Sequence, residues 1–175
     1  MKKLFPVILF VVCCLLLASC STDTPQNYFD RAVLNSNTLV GFADEWHLRQ
    51  METPGIKLNE KGETVSVKRI EDVVQKIQFM EEDKGKLKAL KETEETKEML
   101  QTSAALYDYI LPVYKNEYTK LAELYDSNAP KAATDSLAKK IHDSYYTEYE
   151  AIYNKLISIG KVYAQKHSIK VNWAM

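Results

Sequence analysis

Residues 99–130 read MLQTSAALYDYILPVYKNEYTKLAELYDSNAP. At 100° per residue, Met99, Ser103, Leu106, Ile110, Val113, Tyr114, Glu117, Leu121 and Leu124 form one stripe, the signature of an amphipathic helix. Thr93 is a suitable N-cap, with Glu94 and Glu95 placed for the first turn. Pro112 has no N–H for the Asp108 carbonyl. The stripe keeps its phase beyond it, so the sequence predicts a kink there rather than an end. DSNAP, 126–130, closes the segment.

Downstream, a second long helix is expected from Pro130 to about Ser168. Leu137, Ile141, Tyr145, Tyr149, Ile152, Leu156, Ile159 and Tyr163 lie on one face. Each of these helices is about 50 Å long at the usual rise, and so short a link makes them antiparallel neighbours. Upstream, Ile70, Val73, Val74, Ile77, Met80 and Leu87 mark a helix from Lys68 to Leu90. Its charged latter part reads as a solvated face, and Gly85 weakens it locally, so a break is expected between 84 and 95. A further helix is expected from Asn27 to about Glu52, through Phe29, Ala32, Val33, Ser36, Val40, Ala43, His47 and Met51. Pro54 stops it. Between them, GIKLNEKGETVSV, 55–67, alternates on either side of Gly62. That pattern suits a small hairpin or an irregular loop equally. The expectation is an all-α fold: an up-down-up-down four-helix bundle with long third and fourth helices, one domain over 27–175. Its chain ends would lie together, with the 53–66 loop and the 127–131 turn at the far tip.

The chain opens with Met1, Lys2 and Lys3, then runs uncharged from Leu4 to Cys20, as a secretory signal does. That run falls short of the roughly 20 apolar residues that span a bilayer. Leu17-Ala18-Ser19-Cys20 resembles the lipobox of bacterial lipoproteins. The resemblance implies a signal peptide over 1–19, cleavage before Cys20, a diacylglyceryl group on the Cys20 sulfur and acylation of the new amine. Residues 21–26, STDTPQ, would then tether the domain to the lipid. A single acyl chain binds membranes only marginally, whereas two or three hold firmly. An uncleaved anchor helix and a soluble secreted protein are the alternatives. Ser21 is not the aspartate that retains lipoproteins in the inner membrane, so the expected place is the bacterial cell envelope, at the outer membrane.

Cys13 and Cys14 fall in the leader, and no cysteine follows Cys20. A disulfide framework, a thiolate metal site and a cysteine nucleophile are thereby excluded from the mature chain. Cleavage would remove Lys2 and Lys3, leaving 21 basic against 24 acidic residues in the 156 that remain. A net charge near −3 gives no electrostatic footprint for nucleic acid.

The histidines are His47, His142 and His167, preceded three residues earlier by Asp44, Lys139 and Ala164. None forms the Glu-x-x-His pair of di-metal bundles. Gly-x-Ser-x-Gly is absent and glycine too scarce for a phosphate loop. The expectation is a non-enzymatic protein with no metal or cofactor, and His47 as a core histidine. Glu117 lies within an apolar stripe, where an ionised carboxylate is costly unless paired. Antiparallel pairing about the 127–130 turn sets it opposite Ile141 and His142, and Tyr114 opposite Tyr145. Glu117 should meet His142 or a tyrosine hydroxyl, as a register-setting contact or as a buried acid of raised pKa. Ten of the eleven tyrosines lie from Tyr107 onward. Such a seam packs a core or stacks on a sugar or partner protein. Tyr109 and Tyr146 point away from the seams, as candidate ligand or partner contacts.

Ala104-Ala105-Leu106, Lys115-Asn116-Glu117-Tyr118 and Tyr163-Ala164-Gln165-Lys166 resemble small all-helical bacterial surface lipoproteins of no assigned activity. The resemblance covers about half the mature chain and implies a helical envelope lipoprotein. Two functions follow as expectations. One is a lipid-anchored structural or interaction protein that holds its tip toward an unknown protein partner. The other is a lipoprotein taking a small ligand between helices three and four. A cavity among the tyrosines would favour the ligand; a filled core with exposed apolar groups near 53–66 would favour the partner.

Overall fold

The computed structural model describes residues 23–173. Cys20 and the leader lie outside the described residues. The described residues are mostly helical, with one small two-stranded sheet among them.

α1, Pro25–Phe29, starts where Thr24 accepts a hydrogen bond from the Asn27 N–H at 3.1 Å, with Pro25 in the first turn. The chain then widens into a π turn, Asp30–Leu34, and tightens into a 3₁₀ segment, Asn35–Leu39. The single helix expected over 27–52 stops there. Gly41 and Ala43 take left-handed backbone angles, φ +80° and +57°. Asp44 then caps α2, Glu45–Gln50, accepting from the Trp46 and His47 N–H groups at 2.9 and 3.2 Å. The break shifts the buried positions. Phe42 and Leu48 go inside beside Ala43, which was expected there, while Val40 and His47, also expected on the inner face, turn outward.

Residues 55–67 form the hairpin. β1, Gly55–Leu58, pairs antiparallel with β2, Thr64–Val67, with Ile56 opposite Ser66 and Leu58 opposite Thr64. Asn59 Oδ1 accepts from the Lys61 and Glu63 N–H groups at 2.9 Å each, and Gly62 supplies φ +75°.

α3, Arg69–Lys88, runs through Gly85 without interruption. Val74, expected on its inner face, is 45% exposed. Its own N-cap position, Lys68, offers no side-chain acceptor. Asp126, from another part of the chain, accepts from the Arg69 and Ile70 N–H groups at 3.1 Å each. Thr93, the expected cap, accepts from Thr96 N–H at 3.2 Å in the turn that precedes the next helix, whose own N-cap position is Thr96, with no side-chain cap. α4, Lys97–Val113, passes through Pro112 into a π turn, Tyr114–Tyr118, and continues as α5, Thr119–Asp126. The Asn116 side-chain amide donates to the Pro112 carbonyl at 2.8 Å, and Thr119 to the Tyr114 carbonyl at 3.0 Å. α6, Lys131–Lys166, is continuous for 36 residues, about 54 Å.

Ion pairs define the directions. Arg69 meets Asp126 and Lys115 meets Glu81, so α3 runs antiparallel to α4 and α5. Glu98 meets Lys155 and Glu117 meets Lys140, so α6 runs antiparallel to them as well. The α1 arm lies along α6, where Val33 fills the space over Gly160. At one end Phe29 packs edge-on to Trp173, 5.9 Å between ring centres. At the other, Lys131 reaches Glu52 at 3.1 Å. The described chain ends thus lie together, and the hairpin root and 127–130 turn lie at the opposite end of α6.

Candidate functional site

The expected contact between Glu117 and His142 is not formed. Glu117 is half-buried and pairs with Lys140 at 3.4 Å. His142 Nδ1 lies 2.9 Å from the Ala43 carbonyl, which an Nδ1–H satisfies by donating. This leaves Nε2 facing Glu45 at 3.8 Å. The cause is the turn at 41–44, which brings a third strand of chain between the two long helices. Its buried backbone must be satisfied. The Ala43 N–H donates to Tyr118 Oη at 2.8 Å, so Tyr118 and His142 both serve that turn. The π turn helps by sending Tyr118, rather than Glu117, fully inside.

Tyr109 and Tyr146 also differ from expectation: neither is free on the surface. Tyr109 is half-buried and its hydroxyl donates to the Tyr145 carbonyl at 3.3 Å. Tyr146 stacks on His142 at 5.0 Å and donates to Glu150 at 2.8 Å. The centre of the aromatic seam is occupied. Phe42 stands 5.3 Å from Tyr149, 5.8 Å from Tyr118, 6.0 Å from Tyr114 and 6.3 Å from Tyr109, centre to centre. Phe42 was absent from the expected stripe because that stripe assumed an unbroken first helix. His47 is not in the core; it is exposed and hydrogen-bonds Asp44 at 3.2 Å.

The end of the molecule away from the described chain ends carries the unusual surface. On β1, Ile56 and Leu58 share one face and are 75% and 70% exposed; Trp46 on α2 is 62% exposed. Opposite residues in the ladder point the same way, so Thr64 and Ser66 complete that face. Val65 and Val67 turn toward the body, and Lys57 reaches Glu71 of α3 at 3.4 Å. A two-stranded sheet has two open edges, each a row of unpaired backbone groups.

Two clefts flank α2. One, about 590 Å³, lies between α2 and α6, and its charges are paired internally: Arg49 with Glu45, Lys131 with Glu52 and Asp135. The other, about 340 Å³, lies between the 40–41 turn, α2, the hairpin root and α3. Val73, Met51 and the stacked rings of Tyr114 and Tyr118, 4.1 Å apart, supply its apolar wall. Burial pushes the Tyr114 hydroxyl up to about 12. Lys76 stands at its side, half-buried, and burial pulls its ammonium down. Among the described residues no group of three or more His, Asp and Glu side chains is placed to hold a metal. No described helix is long and apolar enough to cross a membrane. The chain matches no family model, no curated protein and no solved structure.

Proposed function

We propose that this is a non-enzymatic lipoprotein of the bacterial cell envelope, fixed through lipid on Cys20 to the outer membrane, whose helical body presents the hairpin to a protein partner. We read the body as an up-down-up-down four-helix bundle whose first arm is broken at 40–44. The observation that carries the interaction role is the outward face of the hairpin. Two large aliphatic side chains, Ile56 and Leu58, stand mostly in solvent on an open-edged strand. They lie at the end of a 36-residue helix away from the described chain ends. Isolated exposed apolar residues are ordinary; a pair aligned on a sheet edge is a surface that gains by being covered. Phe42, filling the aromatic seam, weighs against a small ligand held between the two longest helices.

The anchor is tested by intact-mass analysis of the protein from membranes. A mature chain beginning at an acylated Cys20, lost in Cys20→Ala, is the expected result. A leader still attached to an unmodified Cys20 overturns the anchor. The tip is tested by a photocrosslinking residue at 56 or 58 in intact cells, with position 162 as control, since Val162 is 69% exposed on the body. A discrete protein adduct from 56 and 58, absent from 162, is expected. Equal labelling at all three positions overturns the role of the tip.

A further inference from the structure

We propose that the 340 Å³ cleft at the hairpin root is a binding site for a small carboxylate carrying a compact apolar body. Its size falls within the range of small-molecule pockets, and its make-up is the usual one, an apolar wall with few polar groups. The polar groups are specific. Lys76 donates to the Thr38 carbonyl and meets no carboxylate among the described residues. Asp72 stands one turn earlier on α3, at the spacing of an ordinary helix ion pair, and also lines the cleft, its carboxylate packed over Gly55. Lys76 nonetheless turns to the Thr38 carbonyl. An ammonium has three donors, so two remain for a ligand. A half-buried cation with no carboxylate within ion-pair distance is costly, and an anion placed beside it recovers that cost.

Of the other polar groups along the cleft, Arg69 and Tyr118 are engaged elsewhere, while Gln50, Thr53 and Asp72 also line it. Arg69 is held by Asp126 at 3.3 Å and by the Met51 and Glu52 carbonyls at 3.0 and 2.6 Å. Tyr118 Oη accepts the Ala43 N–H, which fixes the hydroxyl against the 41–44 turn. Tyr114 Oη, by contrast, makes no hydrogen bond with the described residues. Its hydroxyl therefore remains a donor for the same carboxylate. The body of the ligand would lie against Tyr114, Tyr118, Val73 and Met51. This site requires neither the lipid anchor nor the partner at the hairpin.

The test is titration calorimetry of the full chain in lipid nanodiscs, with empty nanodiscs as blank and 3-phenylpropionate as probe. Phenethylamine, of similar shape and opposite charge, is the control. Saturable binding of the acid and none of the amine are expected. Lys76→Met, which keeps most of the aliphatic stem, should weaken binding at least about tenfold. Val40→Trp, at an exposed position on the cleft, should abolish it. No saturable binding at concentrations up to about 10 mM overturns the site. So does equal binding of the amine, or unchanged affinity in Lys76→Met. If Lys76→Met loses its helical circular dichroism, Val40→Trp decides, and unchanged binding there overturns the proposal.

Discussion

Tyr107 and Tyr118 both bury a hydroxyl against the core, with opposite consequences. Tyr118 Oη accepts the Ala43 N–H, itself inside the protein at a residue with φ +57°. Tyr107 is wholly buried, and its hydroxyl, though near Thr38, closes no hydrogen bond of ordinary geometry. Tyr118→Phe strands a buried donor, so it should destabilise by about 1–3 kcal/mol. Tyr107→Phe removes an unsatisfied group and should be neutral or stabilising by up to about 1 kcal/mol. Urea denaturation of the two variants checks the contrast, and similar losses in both would contradict it. The sequence marked both as members of a tyrosine-rich stretch, and 118 also as part of a resemblance. Which hydroxyl is satisfied depends on a backbone group 75 residues away.

Individual elements separate local preference from tertiary demand most clearly at glycine. Gly85 lies within α3, and a Cβ there would meet nothing within 4 Å. Gly85→Ala should stabilise by about 0.5–1 kcal/mol through helix propensity alone. Gly160 lies in α6, where a Cβ would come within 2.9 Å of both Val33 methyls. Gly160→Ala gains the same propensity but overpacks a contact with the α1 arm, and should cost about 1–3 kcal/mol. Thermal melts of the pair should move in opposite directions. Asp126 shows the same cross-chain dependence at a helix start. Burial works to raise its pKa, but hydrogen bonds from Ile70 and Arg69 outweigh it and hold the carboxyl below the usual range. A carboxyl more acidic in the folded state adds stability above its unfolded pKa. That stability is lost as pH falls through the folded value. The protein should therefore lose stability in acid below the ordinary carboxylate range. Asp126→Asn should be weaker at neutral pH and show a shallower acid loss, as pH-dependent melts would reveal.

Across the whole molecule, the hairpin is an appendage whose outer face does not hold the body together. Ile56→Lys with Leu58→Glu should leave the melting temperature within about 4 °C, since exposed substitutions rarely exceed about 0.5 kcal/mol each, while abolishing the adduct that a photocrosslinking residue at position 66, on the same face, forms in the otherwise unchanged protein; a large drop in melting temperature would show that the face belongs to the fold. The sequence by itself determined the helical character and the antiparallel course of the two longest segments. It also marked Thr93 at the turn that leads into α4 and showed that Pro112 interrupts without ending. These follow from periodicity, cap chemistry and a short link, all local properties. The tertiary structure decided the rest. Gly41 and Asp44 were visible, yet a stripe running through them hid the break, because period alone does not weigh a left-handed turn against a continued helix. Once that turn entered the core, its backbone claimed His142 and Tyr118, Phe42 filled the seam, and Glu117 was left to Lys140. A buried N–H or C=O must find a partner, and which side chain provides it is fixed by packing between segments far apart in the chain.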